Sequence, residues 1–349
     1  MKFLLSYDTS AKEICVPEDQ FQKISEELSE TKALIDVCPK EWEVCKKMIH
    51  LHEYVYSSSY QRKNICSFIP VSRSYFKMKE MLREYIREID SCVCLAEAPG
   101  GFIQCLLEID VPKIYGITLV SEDQRVPFWN RQLVRNDRFE DYRGIHDTGD
   151  LNNFTNVLSI IKKFGRQSVD LITGDGGFDN SNDYNHQEVN SLSLIYSEIY
   201  IALQIQRNGG IFICKIFDTF VKGTINLLYV LTLCYDEVYL HKPTMSRLSN
   251  SEKYVVCRGF RGAPVELLNH LTHHFNDNQI EIPVNVSFLQ KIAEFNESYS
   301  KRQRESIQNG LDLIRDNKLT YRPTKEQLRE GISWCKNYDI PLNHQCQYL

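Results

Sequence analysis

Leu95-Ala96-Glu97-Ala98-Pro99-Gly100-Gly101-Phe102 is the end of an apolar run that breaks into a Pro-Gly-Gly turn and resumes as a helix. Before it, Cys92-Val93-Cys94-Leu95-Ala96 has the nearly continuous apolar character of a strand covered on both faces. After it, Phe102 to Ile109 has helical character. Glycines at such a turn let the backbone approach a ligand closely, and the start of the next helix offers free N–H groups. In an open α/β sheet, ligands sit beyond the carboxyl ends of the strands at a switch point, where this turn would lie. The turn is neither the GxGxxG dinucleotide pattern nor the GxxxxGKS/T phosphate loop. Taken alone, it is also an ordinary tight connection between strand and helix.

On either side the pattern repeats. Tyr75 to Ile89 carries apolar residues at helical spacing, and Ile114 to Val120 reads as a second strand. Val169 to Thr173 is a third strand, and Ser191 to Gln206 is a helix closed by Gly209-Gly210. Ile211 to Ile216, Val238 to Leu240 and Tyr254 to Cys257 complete the strands. Strands alternating with helices imply βαβ units and a parallel sheet with helices on both faces. The chain divides into an N-terminal helical extension (1–65, with helices over Glu18 to Ile35 and Glu41 to His52), an α/β domain (66–262) and a C-terminal helical extension (263–349).

The 349 residues hold 41 Lys+Arg against 46 Asp+Glu, a net charge of −5, which argues against a simple polycation for nucleic acid or membrane. It leaves room for a local basic groove on an acidic body. No apolar stretch reaches the roughly 18 residues of a membrane span, and Asp8 cuts short the apolar start, so the chain is expected to be soluble and unexported. The expected compartment is intracellular, the cytoplasm rather than the nucleus. The twelve cysteines are scattered with no CxxC pair, which predicts reduced core thiols rather than disulfides or a zinc site. His270, His273 and His274 cluster without a nearby thiol, a weak metal signal, and no metal is expected.

Five landmarks carry a resemblance. Ala98-Pro99-Gly100-Gly101-Phe102 resembles the S-adenosylmethionine-binding turn of the FtsJ-type RNA ribose 2′-O-methyltransferases. Ser72-Arg73-Ser74-Tyr75-Phe76-Lys77, Asp175-Gly176-Gly177-Phe178, Lys215 at the end of a strand, and Ser246-Arg247 to Ser251-Glu252-Lys253-Tyr254-Val255 are similar to that family's catalytic landmarks, in order. The resemblance implies a Rossmann-like fold, a seven-stranded, mostly parallel sheet with helices on both faces, with S-adenosyl-L-methionine as cofactor. It implies Lys77, Asp175, Lys215 and Glu252 as a catalytic tetrad, with Lys79 a rival for the first role. Glu97, Ala98, Pro99, Gly100, Gly101, Phe102, Leu119 and Asp150 are the implied cofactor residues. Many family members carry an aspartate at the position of Cys94, and Glu97 is expected to supply that carboxylate to the cofactor's amino group. Asp150, in Thr148-Gly149-Asp150-Leu151, would meet the adenine amino group, and Leu119 and Val120 would pack on its ring.

The chemistry explains why such a set is needed. A ribose hydroxyl is a weak nucleophile and must lose its proton as it attacks; a positioned base contributes roughly 10²–10⁴ in rate. A lysine serves as base only when neutral, and four neighbouring charges titrate together. By resemblance Lys215 is the base or a steering amine, Asp175 orients it, and Lys77 and Glu252 complete the cluster around the 2′-OH. Glu252 could instead pair with Lys253 or Arg247.

The motif details are most similar to cap-specific enzymes of eukaryotes and large DNA viruses, while the extension Asp179-Asn180-Ser181-Asn182-Asp183 on to Gln187-Glu188 and the tail Trp334 to Pro341 resemble the viral members. The expected substrate is therefore capped RNA, with other capping or transcription components as further partners. The alternatives are a ribosomal- or transfer-RNA 2′-O-methyltransferase, or an RNA-binding capping or polyadenylation scaffold. The insert Ser121 to His146 holds Phe128, Trp129, Phe139 and Tyr142 with five arginines and five acids. It reads equally as a solvated helix with Trp129 buried or as a cap or RNA surface. Tyr299 to Arg329, with eight Lys/Arg against four Asp/Glu, is the better candidate for phosphate contact.

Overall fold

The computed structural model describes residues 1–86, 88–177 and 186–349. Its strands are β1 (Lys2–Leu4), β2 (Glu13–Ile14), β3 (Ser91–Leu95), β4 (Lys113–Ile117), β5 (Phe139–Asp141), β6 (Val169–Gly174), β7 (Gln206–Ile216), β8 (Tyr235–His241), β9 (Lys253–Phe260) and β10 (Val284–Asn285). Its helices are α1 (Gln22–Ala33), α2 (Pro39–Met48), α3 (Ser74–Tyr85), α4 (Gly101–Glu108), α5 (Arg131–Val134), α6 (Phe154–Phe164), α7 (Gln187–Ile205), α8 (Lys222–Cys234), α9 (Val265–His273), α10 (Val286–Arg315) and α11 (Lys325–Asn337).

The main sheet has the order β1-β8-β9-β7-β6-β3-β4-β5. Strands β7, β6, β3, β4 and β5 run parallel, while β9 lies antiparallel between β7 and β8. Seven strands were expected; the eighth is β1, from the N-terminal extension, pairing antiparallel with β8 at the sheet edge. β5 was also missed, because it is three residues inside the charged insert. Alternation along β3 sends Val93 and Leu95 to one core and Cys92 and Cys94 to the other, so both faces are covered. Helix α7 is apolar almost all round and correspondingly buried.

The extensions pack onto this sheet. Phe288, Phe295 and Tyr299 of α10 join the core beneath β1 and α8, while Trp334 of α11 packs edge-on to Phe76 at 5.5 Å. Asn285 caps α10 through the amides of Ser287 and Phe288, and a Thr324–Gln327 capping box starts α11. All twelve cysteines are unpaired and ten are buried, as predicted for core thiols. Among the described residues no helix is long and apolar enough to cross a membrane.

Candidate functional site

The strand order reverses at β3, whose neighbours β4 and β6 continue the chain on opposite sides, so the carboxyl end of β3 is the switch point. The Pro-Gly-Gly turn lies there. Gly100 adopts φ +110°, and a Cβ on it would come 2.2 Å from Leu133 Cδ1, so glycine is required on two counts. A cavity of about 580 Å3 opens beside the turn, within the roughly 300–1,000 Å3 of ligand pockets.

Of the expected cofactor residues, Ala98, Pro99, Leu119 and Asp150 line this cavity. Gly100, Gly101 and Phe102 are buried behind it and shape the turn. Glu97 departs from expectation. It is 2% exposed and accepts the amide of Phe102 at 2.7 Å, bracing the start of α4 rather than facing the cavity. Burial, with Cys94 and Asp175 adding to it, pushes its carboxyl well above the ordinary range.

The four expected catalytic residues form two pairs. Lys77, in the first turn of α3, donates to Glu252 Oε2 at 2.7 Å. Lys215 Nζ donates to the Asp175 carbonyl at 2.6 Å and sits 3.4 Å from its carboxylate. Strand direction brings them together. Asp175 follows parallel β6, Lys215 is near the end of parallel β7, and antiparallel β9 starts at the same edge, with Tyr254 opposite Lys215 and Glu252 just before it. The rival Lys79 instead lies 3.8 Å from Glu108. The alternative partners of Glu252 are engaged elsewhere, Arg247 by Glu53 at 2.9 Å and Lys253 near Asp218.

Electrostatics tie the pairs into one cluster. Burial opposes the charge on Lys215, but Asp175, Glu252 and Glu198 outweigh it and hold the amine above its ordinary value. Burial likewise works against ionised Glu252, and Lys77, Lys215 and Lys242 reverse it, keeping the carboxyl well below the usual range. Lys215 is therefore an ammonium at rest.

Sequence reading missed several groups here. Tyr254 donates to Asp175 Oδ1 at 2.8 Å, and Ser246 donates to Glu252 Oε1 at 2.7 Å. Both lay in the quoted motif without a role. Glu198 of α7 is fully buried, takes the Cys214 thiol at 3.1 Å, and is pushed up to about 8 by burial. A single acid on the buried face of an apolar helix was the available signal.

A second cavity, of about 450 Å3, adjoins the first. Among the described residues Lys32, Lys46, Arg125, Lys215 and Arg247 line it with the carboxylate of Glu252. Each of the five cations also pairs with an acid outside that wall (Asp218, Glu43, Asp123, Asp175 and Glu53), so the groove is rich in cationic donors rather than strongly positive. Three residues, Arg125, Gly177 and Lys215, belong to the walls of both cavities. A Cβ on Gly177 would stand 3.3 Å from the Lys215 amine, so glycine there leaves the amine uncovered where the cavities meet.

The other expected surfaces are less open. In the insert, Trp129 packs on Phe139 at 5.3 Å and donates to Asp141, with only a four-residue helix nearby; Phe128 alone of its aromatics is largely exposed. Several cations of Tyr299 to Arg329 pair with acids, among them Arg304 with Glu27 and Lys318 with Asp316. Only Gln303 of that segment lines the basic cavity. The rings of His270 and His274 lie 4.8 Å apart, tilted at 53°, and His274 contacts Asp277. Phe178 and the extension Asp179 to Asp183 lie outside the described residues.

A parallel-stranded α/β sheet with an antiparallel β9 and a glycine turn at its switch point is the Rossmann-like fold of methyltransferases, here with a Lys-Asp-Lys-Glu cluster at the carboxyl end of the sheet. The chain belongs to the FtsJ-like methyltransferase family, which it matches over residues 70–260, more than half of its length. It is 35% identical over 188 residues to cap-specific mRNA (nucleoside-2′-O-)-methyltransferase 1 of Trypanosoma cruzi, covering 52% of each chain. The human protein of the same name is 28% identical over 277 residues, 72% of this chain and 32% of that one. An inactive cap-specific mRNA (nucleoside-2′-O-)-methyltransferase 1B of Caenorhabditis briggsae is 30% identical over 237 residues, 60% of this chain and 28% of that one. The chain thus spans about half or less of the length of these curated relatives. Since one of them is named inactive, similarity alone does not decide activity; the site residues must.

Proposed function

We propose that this chain transfers a methyl group from S-adenosyl-L-methionine to a ribose 2′-OH of capped messenger RNA, next to the cap. One observation carries this reading: Lys215 stands on the shared wall of two cavities, one beside the glycine turn and one lined by cations. A donor in one cavity and an acceptor in the other would meet along that shared wall, which Lys215 forms with Arg125 and Gly177.

The first cavity suits the proposed cofactor. Leu119, 42% exposed on its wall, offers an apolar face to a flat ring. Asp150 and Asp175 supply carboxylates for amino groups and for positive charge. S-adenosyl-L-methionine supplies an electrophilic methyl on a sulfonium that departs as a neutral thioether. The second cavity, whose described wall presents five cationic side chains, each also engaged by an acid, and the carboxylate of Glu252, offers N–H donors to the phosphates of an RNA strand.

Within this scheme Asp175 fixes Lys215 through its carbonyl and carboxylate, and Tyr254 fixes Asp175. Lys215 steers the hydroxyl oxygen, and once it has released its own proton it takes the hydroxyl's as the oxygen–methyl bond forms. Alignment of the two reactants contributes alongside proton transfer. The Lys77–Glu252 pair closes the polar cluster around the hydroxyl.

The test is incubation with labelled S-adenosyl-L-methionine and matched RNAs bearing no cap, an unmethylated cap or an N7-methylated cap. The expected result is label in capped RNA only. Equal labelling of uncapped RNA sinks cap specificity and favours a ribosomal or transfer RNA substrate. RNA binding without any transfer favours a scaffold.

A further inference from the structure

Glu252 stands at the end of an irregular connection, Lys242 to Glu252, between β8 and β9. Loops are ordinarily the mobile parts of a fold, yet a catalytic side chain must be held within about 0.5 Å of its working place. Something must therefore hold this loop. Much of what does so comes from outside residues 70–260, the part matching the family.

Four side chains of the extensions hold the loop, three of them directly and Lys32 through Asp218. At one end, Glu53, fully buried in the N-terminal extension, takes Arg247 through both carboxylate oxygens at 2.9–3.1 Å. Near the other end, Lys32 of α1 pairs with Asp218 at 2.9 Å, and Asp218 accepts the Ser251 hydroxyl at 2.8 Å. In between, Tyr299 of α10 reaches the carbonyls of Asn250 and Glu252 at 3.1 and 3.4 Å. Gln303, one turn on, reaches the Ser249 carbonyl and the Ser251 hydroxyl, both at 3.3 Å.

Two features argue for positioning rather than bulk stability. Lys32 and Asp218 are 8% and 7% exposed, and a pair so buried contributes little net stability, because desolvation consumes most of its attraction. Its location, one hydrogen bond from Ser251 and next to Glu252, is what needs a reason. The Tyr299 ring also lies 4.3 Å from the ammonium of buried Lys253 and 5.7 Å from that of Lys242. Lys242 itself donates to the Asn250 carbonyl at 2.9 Å and to that of Glu252. One aromatic ring thus holds both the loop carbonyls and the lysines packed against them.

We propose that Lys32, Glu53 and Tyr299 are positioning residues, through which the two extensions lock the 247–252 loop and aim the Glu252 carboxylate at Lys77. The proposal rests on the reading of Glu252 as part of the methyl-transfer site. It means that the extensions act on the rate of the reaction as well as forming the wall of the basic cavity.

The test uses the full chain with Tyr299→Phe, which keeps the ring and removes the hydroxyl, and Lys32→Met, with Lys32→Arg as the conservative partner. Amide hydrogen exchange over 246–253 is read beside kcat, KM and cofactor affinity. Expected for Tyr299→Phe and Lys32→Met is exchange faster by roughly three- to tenfold in that segment, as for the loss of one hydrogen bond. In Tyr299→Phe kcat falls by a similar factor while KM and cofactor affinity hold. In Lys32→Met kcat falls likewise with cofactor affinity held, KM being free to rise because Lys32 also lines the basic cavity, and Lys32→Arg restores exchange and kcat. Unchanged exchange in Tyr299→Phe overturns the proposal, as does a loss that Lys32→Arg fails to restore. An inactive wild-type protein would count against the functional reading instead, and exchange would still decide whether the clamp exists.

Discussion

Lys215 donates to the main-chain carbonyl of Asp175 at 2.6 Å while lying 3.4 Å from that residue's carboxylate, so one aspartate fixes the direction of the amine and, with Glu252 and Glu198, its charge. A lysine pointed by a carbonyl cannot swing freely, and one facing a carboxylate keeps its proton. The amine is therefore well placed to steer a hydroxyl but must be discharged before it can act as a base.

Replacing Lys215 with Ala is expected to lower single-turnover methyl transfer by roughly 10²–10⁴-fold with little change in cofactor affinity. In the wild type the rate should climb with pH across the neutral range, because the neutral amine is the minor form. Lys215→Arg, which keeps its proton, should be as slow as the alanine variant. Rapid transfer by the arginine variant would leave Lys215 a steering role only.

Glu252→Gln should destabilise the fold and change its acid limb. Glu252 has a folded pKa held below its unfolded value near 4.3. Its contribution is thus fully present above that value and lost as the pH falls through it toward the folded pKa. Urea unfolding should find the variant weaker by about 1–3 kcal/mol at neutral pH, less than for a fully buried pair that loses one partner, since Lys77 and Glu252 are 13% and 15% exposed. The gap should close as both proteins are taken to acid. A variant as stable as wild type at neutral pH would contradict the ion-pair geometry.

Glu198 works in the opposite direction. Burial pushes its carboxyl up to about 8, so the folded state holds a proton that the unfolded state has released. Stability from this group is complete below roughly pH 4.3 and is lost as the pH rises to about 8. Glu198→Gln should flatten the decline of stability over that window. Some slope should remain, because Glu188, pushed up to about 7 by burial and by Asp218, titrates in the same window. An unaltered slope in thermal melts across the window would show that Glu198 is ionised in the fold.

Gly100→Ala tests the turn. Its left-handed backbone costs a side chain about 1–2 kcal/mol, and the clash with Leu133 adds roughly 1–3. The expected outcome is a lower melting temperature together with weaker binding of S-adenosyl-L-methionine by calorimetry. Leu133→Ala in the same chain should recover part of the stability and little of the binding. Full affinity in Gly100→Ala would place the ligand elsewhere.

The turn at Pro99-Gly100-Gly101, the strands around it and the order Lys77, Asp175, Lys215, Glu252 were all legible along the chain, because each belongs to a local pattern. A strand announces itself by apolar run, a turn by glycine, and a motif by short spacing. Less was visible where the local pattern is weak. β1 is three residues long and gains its meaning only from pairing with β8. In the insert, equal numbers of arginines and acids hid a short strand and a tryptophan that packs on it.

Sequence by itself determined the fold class and singled out the four side chains, Lys77, Asp175, Lys215 and Glu252, that the fold brings together. Tertiary structure alone decided their partners: Glu252 with Lys77 across 175 positions, Arg247 with Glu53 across 194, and Asp218 with Lys32 across 186. It also moved Glu97 from the cavity to the brace behind the turn. The reason is physical. Backbone and burial preferences act between near neighbours and leave a periodic trace, whereas a buried charge takes whichever opposite charge the closed sheet and its helices carry to it, and that choice leaves no trace in the spacing of either residue.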